Sequence, residues 1–458
     1  MTFNLWRGGI QVDFGQIAAA IRAANPDIVG LQEPEGNTRR LAEVLGWPFV
    51  DEGLHLISRH PIYRLPGSET GTAAIALIEV QPGAVVALVN VHLASSPYGP
   101  AEIASGRNDA DMTALEEQTR LAELRLPIAQ LQTLAARGIP SFLLGDFNAP
   151  SHLDWTEAAM PVRPGIVRPF RWPVSVALEA AGFRDSYREA HPDSAAQPGL
   201  TWSPGCPHPR QAPDLIPDRI DFIMAAGATR TLESLVIGET GGPDVAIGIL
   251  PWPSDHRAVL SVVAVEPAAY SEAVTVDCAT VEQGEPVVIR YLASPRGEGW
   301  RVGICDPDGR LTAAMAIGDG IDRRALTFGS AALEPGGYDA VLLAPDDSVK
   351  AARCFWVLAR AARPEVGPVV SNLSPDQPIR VWWRNAPANR YDWIGLYRAG
   401  EIDPTATLAH AYTGAASFGE ITLAHRAGAA AVAAGDYELR VMRDDAYVTL
   451  ATAPLRIS

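Results

Sequence analysis

Lysine is almost missing from this chain: Lys350 is the only one, and arginine supplies the remaining basic side chains. The formal net charge is −16 and the isoelectric point about 5.0, which works against tight electrostatic holding of a polyanion. No basic stripe with interleaved aromatics is present. The four cysteines, Cys206, Cys278, Cys305 and Cys354, stand far apart with no C-x-x-C pair, which argues against a zinc ribbon or a disulfide-dense secreted module. No apolar run reaches the roughly 18 residues that a membrane span needs. A cationic amphipathic helix suited to a membrane surface is lacking too. The opening Met1-Thr2-Phe3-Asn4-Leu5-Trp6 has neither the basic start nor the apolar stretch of a signal peptide. A cytoplasmic, reducing setting is therefore expected. A strand begins almost at the first residue, so the natural start is expected slightly upstream, where an address could sit.

What is present is an ordinary globular balance, 47% hydrophobic and 20% charged. At roughly 100–200 residues per domain the length suggests about two to four domains. Asp13 is placed to cap a helix carrying Ile17 and Ile21 on one face and ending near Asn25-Pro26. Asp27 to Glu33 reads as a buried strand. Asn37 is placed to cap a helix over Thr38 to Leu45, stopped by Gly46. Strands fit residues 54–58, 73–80 and 84–93, and one long helix fits 115–137. Ser141 to Asp146 is the next strand, followed by others at 219–224, 233–238 and 258–265. Many strands with few helices between them imply two packed sheets with helices outside.

Beyond Val265 the helical periodicity fades and an internal repeat emerges. Pro286-Val287-Val288-Ile289-Arg290-Tyr291 resembles Pro378-Ile379-Arg380-Val381-Trp382-Trp383. The segments beginning at Trp300 and Trp393 match, as do those beginning at Gly337 and Asp436. Two all-strand units of about 90 residues fit two immunoglobulin-like sandwiches. The expected domains are 1–266, 267–362 and 363–458, with Arg363 to Pro368 as a linker.

Phosphate-ester hydrolysis needs a cation to neutralise phosphate, a base to activate water and donors for the added charge. A hard cation prefers oxygen ligands, and this chain repeatedly ends apolar strands on such groups. Asn4 closes the first strand and Glu33 the second. His92 shares a strand face with Asn90 and not with Val89, Val91 or Leu93. Asp146 and Asn148 are spaced i, i+2 at a strand end, so they point to one side or close an Asx turn. Asp221 lies inside an apolar strand, where a carboxylate needs a partner. His256, beside Asp255, is the partner on offer.

The ordered set Asn4, Gln32-Glu33, Ser58-Arg59-His60-Pro61-Ile62, His92, Gly145-Asp146-Phe147-Asn148, Arg219-Ile220-Asp221-Phe222 and Ser254-Asp255-His256 resembles the endonuclease/exonuclease/phosphatase superfamily. Gly182 to Tyr187 and Leu200-Thr201-Trp202 also look like family segments. The resemblance covers residues 1 to about 265. It implies a deoxyribonuclease I-like α/β fold, a four-layer α/β sandwich, followed here by the two all-β sandwiches. It also implies a Mg2+ (or Mn2+) site on Glu33, with Asn4 and Asp255 near the same cation. Asp146 would orient or deprotonate the attacking water, or bind a second metal. Asn148 would donate to a phosphate oxygen. His256 would stabilise the pentavalent phosphorane or move a proton, held in its tautomer by Asp221. His92 would meet the phosphate or the leaving group. Which group is the base stays open.

The polar stretch Ser95 to Asp111 is expected as a long loop beside the site, and Tyr98 and Arg107 are its candidate substrate contacts. Arg120 resembles a helix arginine common in the family, either structural or reaching the site. Trp155 and Trp172 are expected in the core. The reading is a metal-dependent phosphoester hydrolase acting on a phosphorylated small molecule, lipid or nucleic acid. The alternatives are a nuclease on DNA or RNA and a catalytically silent scaffold binding through its sandwiches, whose partners the sequence does not name.

Overall fold

The computed structural model describes residues 1–65, 74–202, 216–293, 299–317, 325–375, 377–425 and 432–458. Cys206 lies outside these. The chain forms two compact units: Met1–Val50 with Leu54–Tyr270, and Ser271–Ser458 with Asp51–Gly53. Among the described residues no helix is long and apolar enough to cross a membrane.

In the first unit the strands in chain order are β1 (Thr2–Asn4), β2 (Ile28–Gln32), β3 (Phe49–Asp51), β4 (Leu56–Ser58), β5 (Ile62–Arg64), β6 (Ala76–Gln81) and β7 (Ala84–His92). They continue with β8 (Ser141–Asp146), β9 (Arg184–Asp185), β10 (Asp221–Ala226), β11 (Thr229–Glu239), β12 (Val245–Ile249), β13 (Ala258–Val265) and β14 (Ala268–Ala269). The helices are α1 (Phe14–Ala24), α2 (Thr38–Leu45), α3 (Gly99–Ala104), α4 (Asp109–Gln118), α5 (Arg120–Ala136), α6 (Pro173–Ala180) and α7 (Ser186–Ala190).

Two seven-stranded sheets result, one in the order β12-β11-β13-β1-β2-β4-β3 and one in the order β5-β6-β7-β8-β10-β9 with β14 on β7. They meet face to face over an apolar layer that includes Ile78, Val86, Leu88, Leu144, Ile223 and Val259. At their closest approach Gly30 has no room for a side chain: a Cβ there would lie 2.2 Å from Leu144 Cδ1. Asn90 crosses the gap, donating to the carbonyl of Leu31 at 2.9 Å and accepting from Gln32 Nε2 at 2.7 Å. Helices α1 and α2 cover the first sheet and α5 the second. This is the deoxyribonuclease I-like four-layer sandwich.

Local capping explains where the elements stop. Asp13 accepts from Gly15 N at 2.8 Å, and α1 ends at Asn25 in a left-handed conformation. Asn37 precedes α2, but its side chain does not cap it: Nδ2 donates instead to the carbonyl of Gly8 at 2.9 Å. The long helix expected over 115–137 is two helices, broken at Thr119, whose hydroxyl donates back to the Leu115 carbonyl at 2.7 Å. The break lets Glu116 and Arg120 both turn inward and pair at 2.8 Å. The stretch after His92 is not an open loop either. It contains α3 and the start of α4, the latter capped by Asn108, which accepts from Asp111 N at 2.9 Å.

The second unit is nearly all strand. A three-stranded and a five-stranded sheet enclose one apolar core around Ile289, Val302, Ala340 and Phe355. A three-stranded and a six-stranded sheet enclose another around Val381, Ile394, Leu439 and Val441. The repeated segments occupy matching places. Pro286–Leu292 and Arg380–Arg384 are each the middle of a three-stranded sheet. Arg301–Cys305 pairs Gly336–Leu343 as Trp393–Arg398 pairs Gly435–Met442. Asp392, fully buried, nucleates the turn before Trp393. It accepts from Asn389 N at 2.9 Å, Asn389 Nδ2 at 3.0 Å and Asp444 N at 3.0 Å.

Candidate active site

The functional side chains meet because strand ends from both sheets converge at one edge of the first unit. In the second sheet the register puts His92 of β7 directly across from Asp146 of β8, and Asp146 across from Asp221 of β10. The result is a cross-strand row on the face toward the other sheet. From that other sheet β1 ends at Asn4 and β2 leads into Glu33. Asn4 Nδ2 joins the two sides, donating to Glu33 Oε1 at 3.3 Å and to Asp146 Oδ2 at 3.1 Å. Its own Oδ1 accepts from Trp6 N at 3.0 Å, so Asn4 meets the carboxylates through N–H and not through oxygen. Ser254 donates to the carbonyl of Asn4 at 2.7 Å, which places the next two residues, Asp255 and His256.

His256 Nδ1 lies 3.0 Å from Asp221 Oδ2, and its Nε2 faces Asp146 Oδ2 at 3.7 Å. A carboxylate on Nδ1 fixes that nitrogen as the proton donor. His92 Nε2 approaches the same Asp146 oxygen at 3.6 Å from the other side. Thr201 fixes the start of β10 by accepting from both Ile220 N and Asp221 N at 3.1 Å. Asn148, left-handed at φ 48°, closes an Asx turn: its N–H donates to Asp146 Oδ1 at 2.8 Å. Its Nδ2 donates to the carbonyl of Leu93 at 3.0 Å, tying the ends of β7 and β8 together.

The electrostatics follow from burial and crowding. Burial disfavours the His256 imidazolium, but Asp221, Asp146 and Asp255 outweigh it and raise the pKa to about 10. Burial, and then Asp221, push the Asp146 carboxyl above its usual range, while His256 and His92 pull it back. Asp255 is pushed up to about 6 by burial, against His256 and with Glu33 adding to the rise. Glu33 goes the other way. Burial opposes its charge, but His92, the Arg7 N–H, His256 and Asn4 more than offset that and hold it below the ordinary range.

The residues present fit a hard divalent cation. The Oδ1 atoms of Asp255 and Asp221 are buried without a hydrogen-bond partner, which for a carboxylate oxygen is costly unless something else binds it. Asp146, Asp221 and His256 also bring ligand atoms within 4.8 Å of one another. Oxygen donors predominate throughout, as Mg2+ or Mn2+ prefers.

The remaining expected contacts fall outside this cluster or at its margin. Tyr98 stands on the wall: its ring packs edge-on against Trp202 at 5.1 Å, and Trp202 lies 6.4 Å from the His256 ring. The Tyr98 hydroxyl donates to Asp218 at 3.4 Å. Arg107 is held back in a two-pronged pair with Glu102, at 2.9 and 2.8 Å. Arg120 is fully buried and does not face the cleft. It donates to Glu116 and, at 2.5 Å, to the carbonyl of Pro97, so it anchors the segment that carries Tyr98. Ser58 sits at the far end of β2, opposite Ile28, away from the cluster. Trp155 and Trp172 are core residues, packed at right angles with centroids 5.0 Å apart. Asp218 and Arg7 were not singled out in the sequence. Asp218 looks there like a strand-edge acid, and Arg7 owes its place to an unusual turn.

A four-layer sandwich with this strand-end cluster defines a phosphoester hydrolase by class. Residues 1–256 match the Endonuclease/Exonuclease/phosphatase family, and the chain belongs to it. An uncharacterized protein of Caenorhabditis elegans is 32% identical over 291 residues, 57% of this chain and 89% of that protein. Among solved structures, an endonuclease/exonuclease/phosphatase from Beutenbergia cavernae is 17% identical, covers 78% of this chain and 98% of its own, and has a TM-score of 0.36. TDP2 of D. rerio, solved with a single-strand DNA product, is 16% identical over 58% of this chain and 97% of its own, with a TM-score of 0.38.

Proposed function

We propose that the first unit hydrolyses phosphodiesters by water attack on phosphorus, with Mg2+ or Mn2+ held by Glu33 and Asp255. The observation that carries this reading is the His92–Asp146–Asp221 row closed by His256, with Asn4 bridging it to Glu33. When bound, the cation neutralises charge on the phosphate oxygens. Asp146 accepts the proton of the attacking water as the new P–O bond forms. His256, its Nδ1–H held by Asp221, offers Nε2–H to the oxygen that gains charge. His92, on the other side of Asp146, gives its proton to the leaving oxygen as the bond to phosphorus breaks, and is reprotonated from solvent as Asp146 releases the proton it took from the attacking water. The strand pairs of the second unit serve as binding or spacing modules.

The test is hydrolysis of bis-p-nitrophenyl phosphate by the full chain with Mg2+ or Mn2+, then with chelator. Activity should vanish on chelation and return with the metal. Asp146→Asn, which keeps an acceptor for the Asn148 N–H, should lose about 10²–10⁴-fold in kcat, the usual contribution of a positioned acid or base. Activity that survives both the chelator and this substitution refutes the assignment.

A further inference from the structure

Strands of a sheet with one wet face alternate, apolar toward the core and polar toward water. In the last sandwich Trp393–Arg398 breaks that rule. Ile394 and Leu396 enter the core, and the opposite face carries Trp393, Gly395 and Tyr397. The neighbouring strand Ala409–Tyr412 does the same: Ala409 and Ala411 pack inward, while His410 and Tyr412 take the outer face. The register sets Trp393 opposite Tyr412 and Gly395 opposite His410. Gly395 is the bare position over which rings lie, since a Cβ there would stand 2.7 Å from Trp393 Cζ3 and 2.8 Å from Tyr397 Cε2. The first sandwich has the matching glycine, Gly303, but between Arg301 and Cys305. The aromatic face is therefore not a demand of the fold.

The rings form a row that runs Tyr391, Tyr412, His410, Trp393, Tyr447. Successive centroids are 5.7, 6.2, 6.1 and 6.3 Å apart, and successive planes cross at 61°, 89°, 83° and 90°. Tyr412 is 45% and Tyr447 53% exposed, with Tyr391 and His410 half-buried between water and the sheet. Trp393 is backed by Tyr397 and Met442, and the Tyr412 hydroxyl donates to Asp445 Oδ1 at 2.8 Å. The row is thus held in place before a ligand arrives, which lowers the cost of binding. An exposed aromatic surface of this kind marks an interaction site.

The angles say what fits. A flat sugar chain stacks on coplanar rings, whereas rings that cross steeply leave clefts between them. Such clefts suit a compact apolar ring such as pyrrolidine. The ring-to-ring step of 5.7–6.3 Å also matches two residues of a polyproline II helix, at roughly 3.1 Å each. A chain already in that conformation loses little entropy on docking in an aromatic-lined groove.

We propose that the aromatic row of the last sandwich is a docking site for a proline-rich peptide segment in the polyproline II conformation. This rests on the reading of the second unit as a binding module and is independent of the chemistry of the first.

The experiment is calorimetric titration of the full chain with a proline decamer, a glycine-serine decamer and cellohexaose. Saturable binding of the proline decamer alone is expected. Tyr412→Ala and Tyr447→Ala, both at exposed positions, should each weaken it at least about 10-fold with an unchanged melting temperature, as removal of an aromatic anchor does. Tyr412→Phe, which keeps the ring, should recover part of the loss. Ile402→Ala, which removes an exposed apolar side chain outside the row, should change nothing. Equal binding of both decamers, or binding that the two alanine variants leave intact, overturns the site. Cellohexaose binding that the alanine variants abolish, without binding of the proline decamer, overturns the ligand and keeps the binding module. No binding of any of the three up to about 1 mM overturns both, and leaves the phosphoesterase reading untouched.

Discussion

Asp221→Asn isolates one interaction of the site without changing its shape. Asp221 is buried, its Oδ2 lies 3.0 Å from His256 Nδ1, and its Oδ1 has no hydrogen-bond partner. Asparagine fills the same volume but removes the charge opposite the imidazole. A hydrogen bond to a charged partner contributes roughly 1.5–3 kcal/mol. At about 1.36 kcal/mol per factor of ten, losing it from the transition state lowers kcat by roughly 10–150-fold, with KM nearly unchanged. The same change has a signature independent of turnover. With chelator present, the raised pKa of His256, about 10 against 6.5 for the free side chain, rests on Asp221 first among the charges that overcome burial. A histidine whose pKa rises on folding adds stability that is complete below pH 6.5 and is lost as pH climbs toward 10. Asp221→Asn should therefore lower the NMR titration midpoint of His256 toward neutrality. It should also erase most of the fall in thermal stability between those two pH values. Wild-type kcat together with an unmoved midpoint would refute the reasoning, because Asp221 would then neither hold nor charge His256.

Removing Asp218 should act on stability. Its carboxylate receives Trp155 Nε1 at 2.9 Å, the Tyr98 hydroxyl and Arg163 Nη2, and Asp218→Ala leaves the buried Arg163 uncompensated. A loss of about 3–5 kcal/mol is expected for an unpaired buried charge, read as a fall in the melting temperature of the first unit; a loss under about 1 kcal/mol would contradict it. In the second unit, Asp392→Ala strands the N–H groups of Asn389 and Asp444 and should cost about 2–4 kcal/mol by urea unfolding. Burial pushes the Asp392 carboxyl from 3.8 up to about 7, so ionising it is harder in the folded state. Wild-type stability of this unit should accordingly be highest near pH 4 and decline toward pH 7, and the variant should lose that slope. A variant with the same slope would show that another group titrates.

The strand ends were legible because a polar residue closing an apolar run is rare enough to stand out. Asn4, Glu33 and Asp146 were visible in that way, His92 through the strand face it shares with Asn90, and Asp221 as a carboxylate inside an apolar strand. Their convergence needed the sheet register, which no local pattern encodes: Asp146 meets His92 and Asp221 only because β8 lies between β7 and β10. The repeat beyond residue 271 was legible for the opposite reason, since two copies of one pattern mark each other. Less was readable where side chains turn inward against their usual habit. Arg120 read as either structural or reaching the site, on a continuous helix, and nothing local signals that the helix breaks at Thr119 to bury it against Glu116. The helices after His92 did leave a signal, Asn108 followed by Asp109 and Asp111, a cap with acids in the first turn. The left-handed turn at Trp6–Gly9 left only its two glycines, because its other supports come from Glu33 and Asn37 across the fold.

Asp218 and Asp221 show why sequence alone could not sort structural acids from functional ones. They stand three apart in Asp218-Arg219-Ile220-Asp221, and both are buried. Both Asp218 oxygens are taken, one by Trp155 and Arg163 and the other by Tyr98. Asp154 and Asp185 likewise spend their oxygens on Arg188 and Arg219. Asp221, by contrast, bonds through one oxygen and leaves the other bare, as Asp255 leaves its Oδ1. A folded chain tolerates a bare buried carboxylate oxygen only at a cost of roughly 1–3 kcal/mol. The protein bears that cost at Asp221 and Asp255, at the edge where Glu33, Asp146 and the two histidines also gather, and again at Glu116 Oε2 beside Arg120, and avoids it at Asp154, Asp185 and Asp218. The satisfied set holds the sheet in place; the unsatisfied oxygens at that edge are what a cation and a phosphate would complete.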